Sequence, residues 1–227
     1  MRTILVLSVL GLWACGGGTP PTTKAAVRTL DQRLDDALKP IPQGVRIIAR
    51  VSSYEIGGST VAEARQLMQQ QGMADGSGRR WAGFTRWQHS WRWEYERLTS
   101  CQIKDAVVTV DLQVDVPVLS PAAMQDSTLR AWYDAWFDQL FEHEVGHAKI
   151  ARDGAREIFQ RIRMLQGSAC DDVGNRANLL ARQVYDTFSE RQRAYDASTR
   201  HGARPAATTP ATPPPTSPPT SPPRGTR

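Results

Sequence analysis

Residues 136–150 read Trp136-Phe137-Asp138-Gln139-Leu140-Phe141-Glu142-His143-Glu144-Val145-Gly146-His147-Ala148-Lys149-Ile150. Trp136, Leu140, His143, His147 and Ile150 recur at steps of three or four. The same stripe runs back through Trp132 to Leu129 and forward through Gly154 to Ile158. That spacing marks one face of an α-helix turned towards a core. No proline interrupts residues 127–166 and Gly167 follows them, so the sequence predicts one long helix over this range.

Upstream the period changes to two. Thr85, Trp87, His89, Trp91, Trp93 and Tyr95 alternate with polar residues, as on a strand with one heavy aromatic face. After Cys101, the residues Val108, Val110, Leu112, Val114 and Val116 alternate with Thr109, Asp111, Gln113 and Asp115, and Pro117 and Pro121 are expected to end that strand. The two runs are expected to pair antiparallel across a turn near residues 97–100. Val45, Ile47, Ala49 and Val51 mark an earlier strand. Shorter helices are expected over 27–39, with Val27, Leu30, Leu34 and Leu38 in register and Pro40 and Pro42 beyond them, and over 60–70. Thr60 caps the second, Glu63 completes its capping box and Gly72 ends it. Residues 73–80 read as a loop and 172–195 as a last helix. The fold class is α+β: a small antiparallel sheet packed on a long helix, with a C-terminal helix returning across it.

The chain has 227 residues, enough for one sizeable domain with tails, and a formal charge of +5. Its arginines form no long basic run and no nucleic-acid motif accompanies them, so nucleic acid is not an expected partner. Met1-Arg2 precedes an apolar run from Ile4 to Leu12, too short to span a bilayer, followed by Leu12-Trp13-Ala14-Cys15-Gly16. This ending resembles a bacterial lipobox, in which Cys15 becomes the lipidated first residue after cleavage. The expected protein is therefore exported and tethered to the membrane of the bacterial envelope, at the outer membrane or facing the periplasm. Its expected divisions are a signal peptide at 1–14, a linker and short helix at 15–43, a domain at 44–203 and a Pro/Thr/Ser-rich tail at 204–227. With Cys15 taken by lipid, Cys101 and Cys170 remain as an even pair in an oxidising compartment and are expected to form a disulfide.

His143-Glu144-Val145-Gly146-His147 carries the strongest chemical signal. Two imidazoles four residues apart on a helix stand about 5–6 Å apart and can share one zinc ion. Glu144, one step round the helix, is placed to act as a general base on water at that metal. Catalytic zinc takes a third protein ligand. Asp153, on an uninterrupted helix, lies about 9 Å beyond His147 and cannot reach, and Glu157 is farther still. His89, among Trp87, Trp91 and Trp93, reads as a core histidine. His201 follows the last helix and can fold back across the first; Asp196 is the alternative, as ligand or as a carboxylate orienting a histidine. Tyr54 and Tyr195 are candidate donors to a developing oxyanion.

Several pieces together resemble one bacterial family: Tyr54-Glu-Ile-Gly57, Thr85-Arg-Trp87 with Trp91 and Trp93, Cys101, the His143-to-His147 motif, Cys170, and Tyr195-Asp196 with Thr199, His201 and Gly202. They are similar to the bacterial domain of unknown function 922 family, described as predicted secreted zinc-dependent proteases, over about residues 45–203. The resemblance implies a zincin-like plan, a single zinc ion, His201 as third ligand, and a peptide or protein substrate in the envelope. A zinc amidase acting on peptidoglycan peptides, or a non-catalytic lipoprotein stapled by metal, are the rival expectations.

Overall fold

A computed structural model describes residues 29–201 of the chain. The expected signal peptide, Cys15, Gly202 and the tail from residue 204 lie outside these residues.

Thr29 caps the first helix, α1 (Leu30–Leu38). Its side chain accepts from the Gln32 N–H, and the Gln32 side chain accepts from the Thr29 N–H, which satisfies donors that a helix start leaves open. Strand β1 (Val45–Ile56) follows. Helix α2 (Val61–Gln71) is capped by Thr60 and ends at Gly72, as its sequence predicts. The segment expected as a loop instead contains a short hairpin, β2 (Met73–Ala74) paired with β3 (Arg80–Trp81). Asp75 builds this hairpin. Its carboxylate accepts from Ser77 N and Oγ, from Arg79 N and from Trp81 Nε1. The Ser77 and Trp81 side-chain bonds lead in pulling its pKa down to about 2.

The main sheet is built on β4 (Phe84–Arg97) and β5 (Cys101–Leu119). These pair antiparallel, with Trp87 opposite Leu112 and Trp91 opposite Val108. The expectation of a purely antiparallel sheet is corrected: β1 joins β5 in parallel, from Val45 opposite Val108 to Ile56 opposite Leu119, so the sheet is mixed, in the order β1-β5-β4. Alternation along a strand states which face is buried and carries no information on a neighbour's direction. Strand β5 also runs through Pro117 instead of ending there. Pairing with β4 stops at Asp115, so the proline's missing N–H falls where no partner waits on that side.

Helix α3 (Ser127–Ile162) starts at Asp126, whose carboxylate accepts from Leu129 N at 2.8 Å. Its buried stripe differs near the start from the predicted one. Tyr133 and Phe137 are buried, whereas Trp132 and Trp136 are half-buried and stack on each other, 5.6 Å apart. A short strand, β6 (Gln166–Gly167), pairs with the start of β5. Helix α4 (Cys170–Thr199) extends beyond the predicted 172–195 at both ends and packs against α3. The disulfide joins Cys101 to Cys170, so it ties the start of β5 to the start of α4. Closing a loop with a sequence separation of 69 residues restricts the unfolded chain by roughly 4 kcal/mol in the chain-entropy account.

The core lies between the sheet and the two long helices. Val108, Val110, Leu112 and Val114 of β5 face it, with Ala148, Ala151, Ala155 and Ile158 of α3 and Val173, Ala177 and Ala181 of α4. Among the described residues no helix is long and apolar enough to cross a membrane.

Candidate metal centre

Three odd-numbered residues of β4 anchor the helices. Thr85 bonds Glu144, His89 bonds the Ala151 carbonyl at 2.8 Å, and Trp91 bonds Asn178 at 3.0 Å. His89 is therefore a core histidine, as expected, packed between Trp87 and Tyr185. Asp153 and Glu157 are engaged elsewhere, with Arg152 and Arg161 respectively.

One turn of α3 presents His143, Glu144 and His147, all buried. The tautomer of each histidine follows from its neighbours. Gln192 Nε2 donates to the His147 carbonyl at 3.0 Å, which fixes the amide so that its oxygen accepts from His147 Nδ1–H. The Thr199 hydroxyl donates to the Tyr195 carbonyl at 2.7 Å and so accepts from His143 Nδ1–H at 3.1 Å. Both rings thus keep a lone pair on Nε2, and the two Nε2 atoms stand 3.2 Å apart. Asp196 Oδ1 joins them, 3.3 Å from His143 and 3.0 Å from His147.

Lone pairs on two imidazole nitrogens and a carboxylate oxygen converge with no proton donor between them. Such an arrangement fits a cation. Two nitrogens bound at about 2.0–2.1 Å in a tetrahedral site stand about 3.3 Å apart, close to the observed separation. Among the described residues His143, His147 and Asp196 form a group that could hold a metal ion, with ligand atoms all within 4.8 Å of one another. Burial, joined by the neighbouring His147, pushes the His143 pKa well below its ordinary value. His143 is therefore neutral and able to ligate at neutral pH.

His201 leaves the end of α4 through two consecutive residues in the left-handed region: Arg200 at φ 51 and His201 at φ 54. Its Nδ1 lies 3.1 Å from Asp196 Oδ1, and its ring packs on Trp81 of the hairpin, 4.1 Å between centroids. The geometry thus groups Asp196 with the two histidines and sets His201 on that carboxylate.

Glu144 is 3 % exposed. Burial raises its pKa to about 7, against the opposing bond from the Thr85 hydroxyl to Oε2 at 2.7 Å. Gly83 faces the other carboxylate oxygen: a Cβ at that position would lie 2.6 Å from Glu144 Oε1. Tyr195 stacks on His143 with 10° between the planes and meets His147 edge-on. Its hydroxyl lies against Gly146, where a Cβ would come within 2.1 Å of it. Tyr54 donates to the Ala82 carbonyl at 2.8 Å, so its hydroxyl braces the segment before β4. A cleft of about 570 Å³ opens onto these groups, walled by Trp136 and Leu140 of α3, by residues 79–85, and by the end of α4.

Thr85, Gln192 and Thr199 hold the site's key side chains, and none was assigned a role from sequence. A signal existed for two of them. The buried stripe of α4 runs Val173, Ala177, Ala181, Val184, Phe188 at helical spacing, then turns polar at Gln192, Asp196 and Thr199 without losing register.

Neither curated proteins nor solved structures give a match to the chain. One family does, over the stretch that contains β4, both long helices and every residue of this centre. By its match to residues 51–202, the chain belongs to the bacterial protein family of unknown function DUF922.

Proposed function

We propose that the protein is a zinc-dependent peptidase of the cell envelope, with a zincin-like arrangement in which His143, His147 and Asp196 hold the metal and Glu144 is the general base. The observation that carries this reading is the pairing of two kinds of site on one helical turn. Three lone-pair donors converge beside a buried carboxylate, and that carboxylate is held by Thr85 with its pKa at about 7. A purely structural metal site has no use for a base poised near neutrality.

Zinc, when bound, polarises a carbonyl and acidifies water. Gln192 and Thr199 keep both imidazoles in the ligating tautomer. Glu144 accepts a proton from the attacking water as the new C–O bond forms. It returns that proton to the leaving nitrogen as the C–N bond breaks. His201 and Trp81 close one side of the cleft and keep Asp196 in place. The apolar run before Cys15 supports secretion and lipid anchoring, which would deliver the site to peptide or protein substrates of the envelope.

The test is hydrolysis of a fluorescently labelled unfolded protein by the zinc-replete chain and by Glu144→Gln. The variant is expected to retain zinc and lose at least about a hundredfold in rate. Equal activity in the two proteins, or none in the zinc-replete parent, would overturn the reading.

A further inference from the structure

The cleft over the metal centre has an asymmetric rim. Arg79 and Arg80 of the hairpin and Arg200 at the end of α4 all line it, and all three side chains are exposed. They come from two segments far apart in sequence, and the contact of Trp81 with His201 holds those segments together. Arg79 lies over the Trp81 ring, 4.1 Å from its centroid, which keeps the guanidinium at the rim. Arg80 is steadied by donating to the Gly72 carbonyl at 2.7 Å.

The acidic groups that line the cleft offset this charge only in part. The Asp75 carboxylate is ionised and offsets one of the three arginines, but its oxygens are taken up by Ser77, Arg79 N and Trp81 within the hairpin. Asp196 and Glu144 sit at the centre, where a divalent cation would balance them. Trp136 and Leu140 of α3 add apolar lining. A loaded site therefore keeps a net positive rim beside apolar lining, since three arginines outnumber the one carboxylate, Asp75, that a metal would not balance.

We infer that the cleft selects acidic peptides: segments whose side-chain or terminal carboxylates are read by Arg79, Arg80 and Arg200 while the backbone lies over the metal. Guanidinium groups pair with carboxylates in a planar, two-bond geometry, and low-dielectric walls lengthen the reach of their field. This inference rests on the peptidase reading for the orientation of the bound chain, but its test does not depend on turnover.

The experiment uses the zinc-loaded full chain carrying Glu144→Gln, so that bound peptide is not consumed. Binding of a labelled glutamate-rich peptide is compared with that of its glutamine counterpart by fluorescence anisotropy. The same comparison is made in Glu144→Gln with Arg79→Gln and Arg200→Gln added, which leaves the Arg80–Gly72 bond in place. The glutamate peptide is expected to bind at least about tenfold tighter, with the preference falling to within about twofold in the arginine variant and shrinking as salt is raised. Equal binding of the two peptides, no binding of either, or a preference undiminished by loss of Arg79 and Arg200 would each overturn the inference. Selective binding without hydrolysis in the Glu144 parent would count against the peptidase reading and leave this one standing.

Discussion

The Thr85 hydroxyl donates to Glu144 Oε2 at 2.7 Å, while Oε1 of the same carboxylate faces the backbone at Gly83. One oxygen is thus held by a hydroxyl, and the other lies where a side chain at position 83 would meet it. This is the geometry a base needs if a single lone pair is to meet an incoming proton. On the proposed mechanism Thr85 positions the base. In Thr85→Val, which keeps the shape and removes the donor, hydrolysis is expected to fall about ten- to hundredfold, the usual cost of losing a hydrogen bond to a charged group. Zinc content should not change, and Thr85→Ser should restore most of the rate. A Val variant as fast as the parent would remove Thr85 from the mechanism.

Gly146, between the two histidines of the motif, is needed for packing. A methyl group there would fall 2.1 Å from the Tyr195 hydroxyl, and Tyr195 in turn stacks on His143. Gly146→Ala is expected to cost about 1–3 kcal/mol by overpacking and to weaken zinc retention by displacing the ring against His143. Tyr195→Phe, which keeps the stack, should hold zinc as the parent does. Thermal unfolding and metal analysis of both variants check this. A Gly146→Ala protein with the parent's Tm and zinc content would contradict it.

His89 makes stability depend on pH. Desolvation lowers its pKa below 6.5, and the bond to the Ala151 carbonyl opposes that shift. Above pH 6.5 both folded and unfolded forms are neutral at this residue and contribute no slope. As pH falls through 6.5, the unfolded chain takes up a proton that the folded protein refuses. Stability then drops by up to about 1.4 kcal/mol per pH unit until the folded pKa is reached. Denaturant melts at about pH 7.5 and about pH 5.5 should show this loss, and His89→Gln, which can still donate to Ala151, should reduce it. The same loss in the variant would place the proton elsewhere.

Much of this centre was legible in the residues, for reasons that differ from element to element. The spacing of His143 and His147 places two imidazoles on one helical face whatever surrounds them. The period-two run from Thr85 to Trp93 identifies the strand and its inward face, and the cysteine count anticipates the pairing of Cys101 with Cys170. The parallel partnership of β1 with β5 was not legible, because it depends on the path of the chain between them. Nor was the strand's passage through Pro117, which depends on where β4 stops. The choice between Asp196 and His201 turns on how α4 ends. Two residues in the left-handed region carry His201 round to Asp196, a local bend that no residue pattern announced. Gln192 was missed because a glutamine on a helix usually faces solvent, whereas this one is 6 % exposed and spans from the His147 ring to its own carbonyl.

The most direct measurement is the zinc content of the protein purified without chelator, beside His147→Ala, Asp196→Ala and His201→Ala. About one zinc per chain is expected in the parent, little or none in the His147 and Asp196 variants, and a retained though weaker site in the His201 variant, since His201 bears on the metal through Asp196. A parent that stays free of zinc even after reconstitution would contradict the metal centre itself. Zinc kept by Asp196→Ala and lost from His201→Ala would contradict this assignment of its third ligand.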